Sequence, residues 1–106
     1  MLQEAPNLNY IHELSGGDKE FEDKMISILK EELPEEIKQY KITVEMNVLK
    51  QTAEIVHKLK HKISILGLEK SYDFAVQYEK ELLQGSDSKH NDFLEILNTM
   101  SNFLAI

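Results

Sequence analysis

Apolar residues recur every three or four positions along most of the chain, and no stretch alternates with a period of two at comparable strength. Leu8, Ile11 and Leu14 space a short leading helix, with Asn7 as its expected cap and Ser15-Gly16-Gly17 as its end. Asp18 is the next expected N-cap. Phe21, Met25, Ile28 and Leu29, then Leu33, Ile37 and Tyr40, form the stripe of a second helix. Pro34 falls inside that stripe. It lacks an N–H and crowds the carbonyl four residues back, so a kink or break is expected there, with two shorter helices as the alternative. Thr43 or Asn47 is the expected cap of a third helix, which Gly67 should end. Leu68, Tyr72, Ala75, Val76, Leu82 and Leu83 give the inward set of a fourth. Gly85-Ser86-Asp87-Ser88 reads as a turn. A last helix is expected from Asn91 or Asp92, with Phe93, Leu97, Met100 and Leu104 inward.

Four sizeable helices after a short one, each with a single apolar stripe, must bury those stripes against one another. Short connections favour antiparallel neighbours. The fold expected is all-α: an antiparallel up-down four-helix bundle with a short extra N-terminal helix. Residues 1–106 make one domain, with a core spanning about 8–104. The aromatics Phe21, Tyr72, Phe93 and Phe103 are expected in that core. Met25, Met46 and Met100 are expected as core filler. His12 and His90 are expected at the surface, near helix ends or turns.

The third helix has the most informative polar face. At about 100° per residue, Val48, Thr52, Ile55, Leu59, Ile63 and Leu66 fall on one side. Lys50, Ala53, Glu54, His57, Lys60, His61 and Ser64 fall on the other, so His57 points away from the core.

Composition narrows the function classes. The net charge of −7 argues against a nucleic-acid partner, because phosphates require a basic surface. Yet Lys58, Lys60 and Lys62 stand close together with no acid between His57 and Lys62, a positive island on an acidic chain. With no cysteine, disulfides and thiolate metal sites are excluded. No apolar run is long enough for a membrane span, and no signal peptide is visible at the N-terminus, so a cytoplasmic location is the expectation.

An exposed neutral imidazole is a competent nucleophile toward phosphorus. On the face of His57, the ammonium of Lys60 can offset phosphoryl charge and the hydroxyl of Ser64 is a candidate hydrogen-bond donor. Ala53, one turn earlier, leaves room for a docking partner, and His61 is a candidate second contact. The run Ile55-Val56-His57-Lys58-Leu59-Lys60 followed by Leu66-Gly67 resembles the signature of histidine-containing phosphotransfer (HPt) domains. Gly16-Gly17-Asp18, Leu33-Pro34-Glu35 and Tyr78-Glu79 fit the layout of that family, so the resemblance extends from about Leu8 to Leu104.

The resemblance implies a phosphorelay intermediate. His57 accepts a phosphoryl group from a receiver-domain phospho-aspartate, through Nε2, and passes it to another receiver, with electrostatic help from Lys60. It implies response-regulator receivers as partners, a hybrid histidine kinase as a further candidate, magnesium on the receiver and no cofactor in this chain. No glycine-rich nucleotide loop is visible, so a phosphoryl carrier is expected and not an ATP-using kinase. A monomer is the expectation. Two positions depart from the family pattern: His61 stands where a small residue usually follows the lysine, and Val56 stands where alanine often precedes the histidine.

Two other readings compete. Glu54, His57 and His61 have the spacing of metal ligands on one helical face. Metal-binding helix bundles, however, place Glu-x-x-His elements inward and need partners from other helices. A passive interaction bundle without chemistry is the third.

Overall fold

The structure, a computed structural model, describes residues 4–106. Five helices follow in order: α1 (Asn9–Ser15), α2 (Lys19–Glu45), α3 (Leu49–Ile65), α4 (Glu69–Leu83) and α5 (His90–Leu104). Among the described residues there is no strand. None of these helices is long and apolar enough to cross a membrane.

Local sequence explains most of the boundaries. Asn7 Oδ1 accepts the Asn9 N–H at 3.0 Å ahead of α1, although Leu8 takes the cap position itself. Asp18 caps α2 as its side chain predicts, accepting the N–H groups of Glu20 and Phe21. Neither Thr43 nor Asn47 caps α3, contrary to expectation. Asn47 has a φ of 57°, the left-handed conformation asparagine tolerates, and turns the chain out of α2. Thr43 is buried inside α2, where its hydroxyl donates to the Tyr40 carbonyl at 2.8 Å. Gly67, at φ 75°, closes α3 as expected.

The break expected at Pro34 does not occur: α2 runs 27 residues through it. Pro34 and Lys30, whose carbonyl loses its partner, are both exposed, so water can satisfy that carbonyl. At 1.5 Å per residue α2 is about 40 Å long, and it sets the 44 Å long axis of the molecule.

The core gathers residues from every helix, including Ile11, Leu33, Tyr40, Leu59, Ile63, Tyr78, Phe93 and Met100, all fully buried. Helix α3 packs against both α2 and α4, and α5 against α2. Several expected core residues lie outside it. Phe21, Phe103, Leu14, Leu83 and Met46 are exposed. All stand at or next to helix ends. Ile28, near the middle of α2, is exposed as well.

The segment before α1 is fastened to the α3–α4 turn. Asn7 N–H donates to the Leu66 carbonyl at 2.8 Å. Glu4 accepts the N–H groups of Lys70 at 3.0 Å and Ser71 at 2.6 Å, capping an α4 that has no side-chain cap of its own. Burial alone would raise the pKa of Glu4, but the hydrogen bonds from Lys70 and Ser71, with the Lys70 charge, together outweigh it and hold the carboxyl below its ordinary value.

Candidate functional site

His57 lies in the middle of α3 with its side chain 52% exposed. Its ring is held from α4. Nδ1 of His57 is 3.1 Å from Oε2 of Glu79 and 3.3 Å from Oε1. Oε1 of the same carboxylate accepts from Lys60 Nζ at 3.0 Å. One carboxylate therefore joins the histidine and the lysine that stand three residues apart on α3.

This geometry sets the tautomer. A carboxylate is an acceptor only, so Nδ1 carries the proton and donates it to Glu79. The lone pair is then on Nε2. Chemically, such an arrangement would suit an oriented nucleophile, with a carboxylate at hand to balance charge on the ring. Lys60 faces Glu79 instead of open solvent, its side chain 13% exposed.

The buried arc of α3 is wider than its apolar stripe. Ala53 was expected on the open face but is buried, at 3% exposure. Val56, next to His57, is fully buried, whereas Ile55 and Val48 are only partly so. The cause is that α3 contacts two helices, so its covered arc rotates toward α4. Ala53 and Lys60, seven residues apart and about 20° from each other on the helix, both fall at that border. Ala53 still serves the outer surface as the floor of an open groove of about 460 Å³. Lys50, Glu54, His57, Lys58, Glu79 and Leu83 complete its lining, and Leu83 is 63% exposed.

The positive island is smaller than the sequence suggests. Lys62 reaches Glu32 at 3.0 Å and Glu36 at 2.8 Å on α2. Burial disfavours its ammonium, but the two carboxylates outweigh that and raise its pKa above the ordinary lysine value. With Lys60 on Glu79 and Lys62 on α2, Lys58 is the exposed lysine of the three.

His61 is exposed, and its ring stands perpendicular to that of His57 with centroids 5.1 Å apart. Ser64 is also exposed but lines a different cleft, with Asn7, Tyr10 and Gly67. It is two helical turns, about 10 Å, along the axis from His57. Glu54 lines the groove beside His57. Among the described residues, no group of three or more His, Asp or Glu side chains is placed to hold a metal ion.

Two features escaped the sequence reading. Glu79 stands 22 positions from His57 and nothing in local spacing pairs them; its only signal was the Tyr78-Glu79 run. The second is a buried network. Tyr40 Oη is 2.7 Å from Tyr78 Oη and 2.6 Å from His90 Nδ1, linking α2, α4 and α5. His90, expected at the surface, is half-buried there. Burial, reinforced by the Tyr78 contact, raises the Tyr40 pKa far above that of a free phenol.

Comparison of the chain with protein-family models, with curated proteins and with solved structures finds no match, so the resemblance to phosphotransfer domains rests on the residues of this chain alone.

Proposed function

We propose that this chain is a histidine phosphotransfer protein of HPt type, carrying a phosphoryl group on His57 between receiver domains. The observation that carries this reading is the Glu79 carboxylate on Nδ1 of His57, which leaves Nε2 as the nucleophilic nitrogen. In the forward step the Nε2 lone pair attacks the phosphorus of a receiver acyl phosphate. The N–P bond forms as the P–O bond to the aspartyl carboxylate breaks, and that carboxylate leaves with the electron pair. The Nδ1 proton stays on the ring, and the Glu79 carboxylate balances the positive charge that the phosphorylated imidazole acquires. Return transfer to a second receiver reverses these changes. Magnesium belongs to the receiver in this reading.

The groove beside His57, floored by Ala53 and edged by Leu83, is the docking surface. Helices α2 to α5 are read as an antiparallel up-down four-helix bundle, with α1 as the short extra helix. The three-residue connections at 46–48 and 66–68, and α3 packing against both α2 and α4, support that topology.

The test is to incubate the protein with a phosphorylated receiver and look for an acid-labile, base-stable phosphoryl group. Label on the wild type and none on His57→Gln is the expected result. Label that persists in His57→Gln, or no label with any of several receivers, overturns the reading.

A further inference from the structure

The lysine three residues after His57 is the obvious cation for a phosphoryl group, yet its side chain is only 13% exposed and its ammonium is tied to Glu79 at 3.0 Å. To reach a group on Nε2 it would have to give up or share that contact, loosening the carboxylate that holds Nδ1 of His57. His61 is differently placed. It is one turn from His57, exposed, with its ring perpendicular to the nucleophile's and 5.1 Å away. An imidazole has at least one N–H in either protonation state, so His61 can donate a hydrogen bond whether charged or neutral.

We infer that His61, and not Lys60, is the catalytic residue that contacts the phosphoryl oxygens on His57, while Lys60 is a positioning residue that acts through Glu79. This inference rests on the proposed phosphotransfer function and assigns the roles within it. In the transfer step the His61 N–H donates to a non-bridging oxygen as charge develops there, and no proton leaves His61. Lys60 holds Glu79, and Glu79 holds Nδ1 of His57, which leaves Nε2 as the free nitrogen of a ring whose centroid is 5.1 Å from that of His61.

Phosphoramidate is the probe, because a small donor has no docking surface and isolates the chemistry from partner recognition. Its N–P bond breaks as the bond to Nε2 forms, and ammonia leaves. The rate of label gain is measured for wild type, His61→Ala, His61→Asn, Lys60→Met and His57→Gln. The ring nitrogens of His57 are followed by nitrogen-15 NMR in each. His61→Ala should slow labelling about tenfold, less than for an enclosed donor because this site is open to water. His61→Asn, which keeps an N–H donor, should recover part of the rate. The His57 nitrogen shifts should move in Lys60→Met and stay in place in His61→Ala. Wild-type label with an unchanged rate in His61→Ala overturns this inference and leaves the phosphotransfer reading standing. Slow labelling in Lys60→Met with unmoved His57 nitrogens also overturns it, since Lys60 would then act directly. No wild-type label on His57 overturns both.

Discussion

Glu79 Oε2 lies 3.1 Å from Nδ1 of His57, so the side chain that fixes the candidate nucleophile comes from α4 and not from the helix that carries it. Removing the carboxylate frees the ring to rotate and to exchange tautomers. Glu79→Ala is expected to lower the rate of phosphoryl acceptance at least about tenfold, equivalent to about 1.4 kcal/mol of barrier. Stability should fall by about 1–3 kcal/mol, because the His57 pair is half exposed but Lys60, its side chain 13% exposed, is left without its carboxylate. Transfer rate and thermal unfolding measured together check this; a stability loss with an unchanged rate would contradict it.

His57 should be dispensable for folding. Its side chain is half exposed, and among the described residues its one polar partner is Glu79. His57→Gln should shift stability by no more than about 0.5 kcal/mol while abolishing the label. Chemical denaturation of the variant beside the wild type is the measurement.

The Tyr40 hydroxyl has two partners inside the molecule, Tyr78 and His90. Tyr40→Phe leaves the buried Tyr78 hydroxyl without one, and should cost about 1–3 kcal/mol. The double variant Tyr40→Phe, Tyr78→Phe should lose less than the sum of the two single changes, because no orphaned hydroxyl remains between them. A double-mutant cycle by urea unfolding decides it.

The alkaline side of the stability profile should fall early. Tyr40 and Lys62 both have pKa values raised in the folded state. Above about pH 10 the unfolded chain releases these protons while the folded chain keeps them, so stability is complete below the unfolded values and declines as pH rises. Thermal melting between pH 8 and 11 should show this decline, shallower in Tyr40→Phe. A melting temperature that is flat over that range would contradict the assignment.

Gly67 meets two demands at once. Its φ is 75°, and a Cβ built there would sit 2.5 Å from Asn7 Nδ2. Gly67→Ala should cost about 1–2 kcal/mol from the left-handed backbone alone, plus the displacement of Asn7. Adding Asn7→Ala should relieve only the second part. Hydrogen exchange at residues 7 and 9 should rise in Gly67→Ala if the N-terminal segment is pushed from the turn.

What the sequence alone determined is local. Helical periodicity, the Asp18 cap, the Gly67 stop and the outward position of His57 all follow from interactions within a few residues, and each stands in the structure. The course of the chain through Pro34 was not legible, because a solvent-facing proline costs less than a buried one and exposure is not a local property. The same holds at helix ends, where Phe21, Leu83 and Phe103 keep the apolar period but lose their cover. Tertiary structure alone decided which arc of α3 is buried. Packing against two helices turned Ala53 and Lys60 inward and brought Glu79, 22 residues away, onto His57. It also spent Lys62 on the acids of α2 and joined Tyr40, Tyr78 and His90. Those pairings depend on how far one helix rotates about its axis against its neighbours. That rotation is set by the packing of all the side chains between them, which no single stripe encodes.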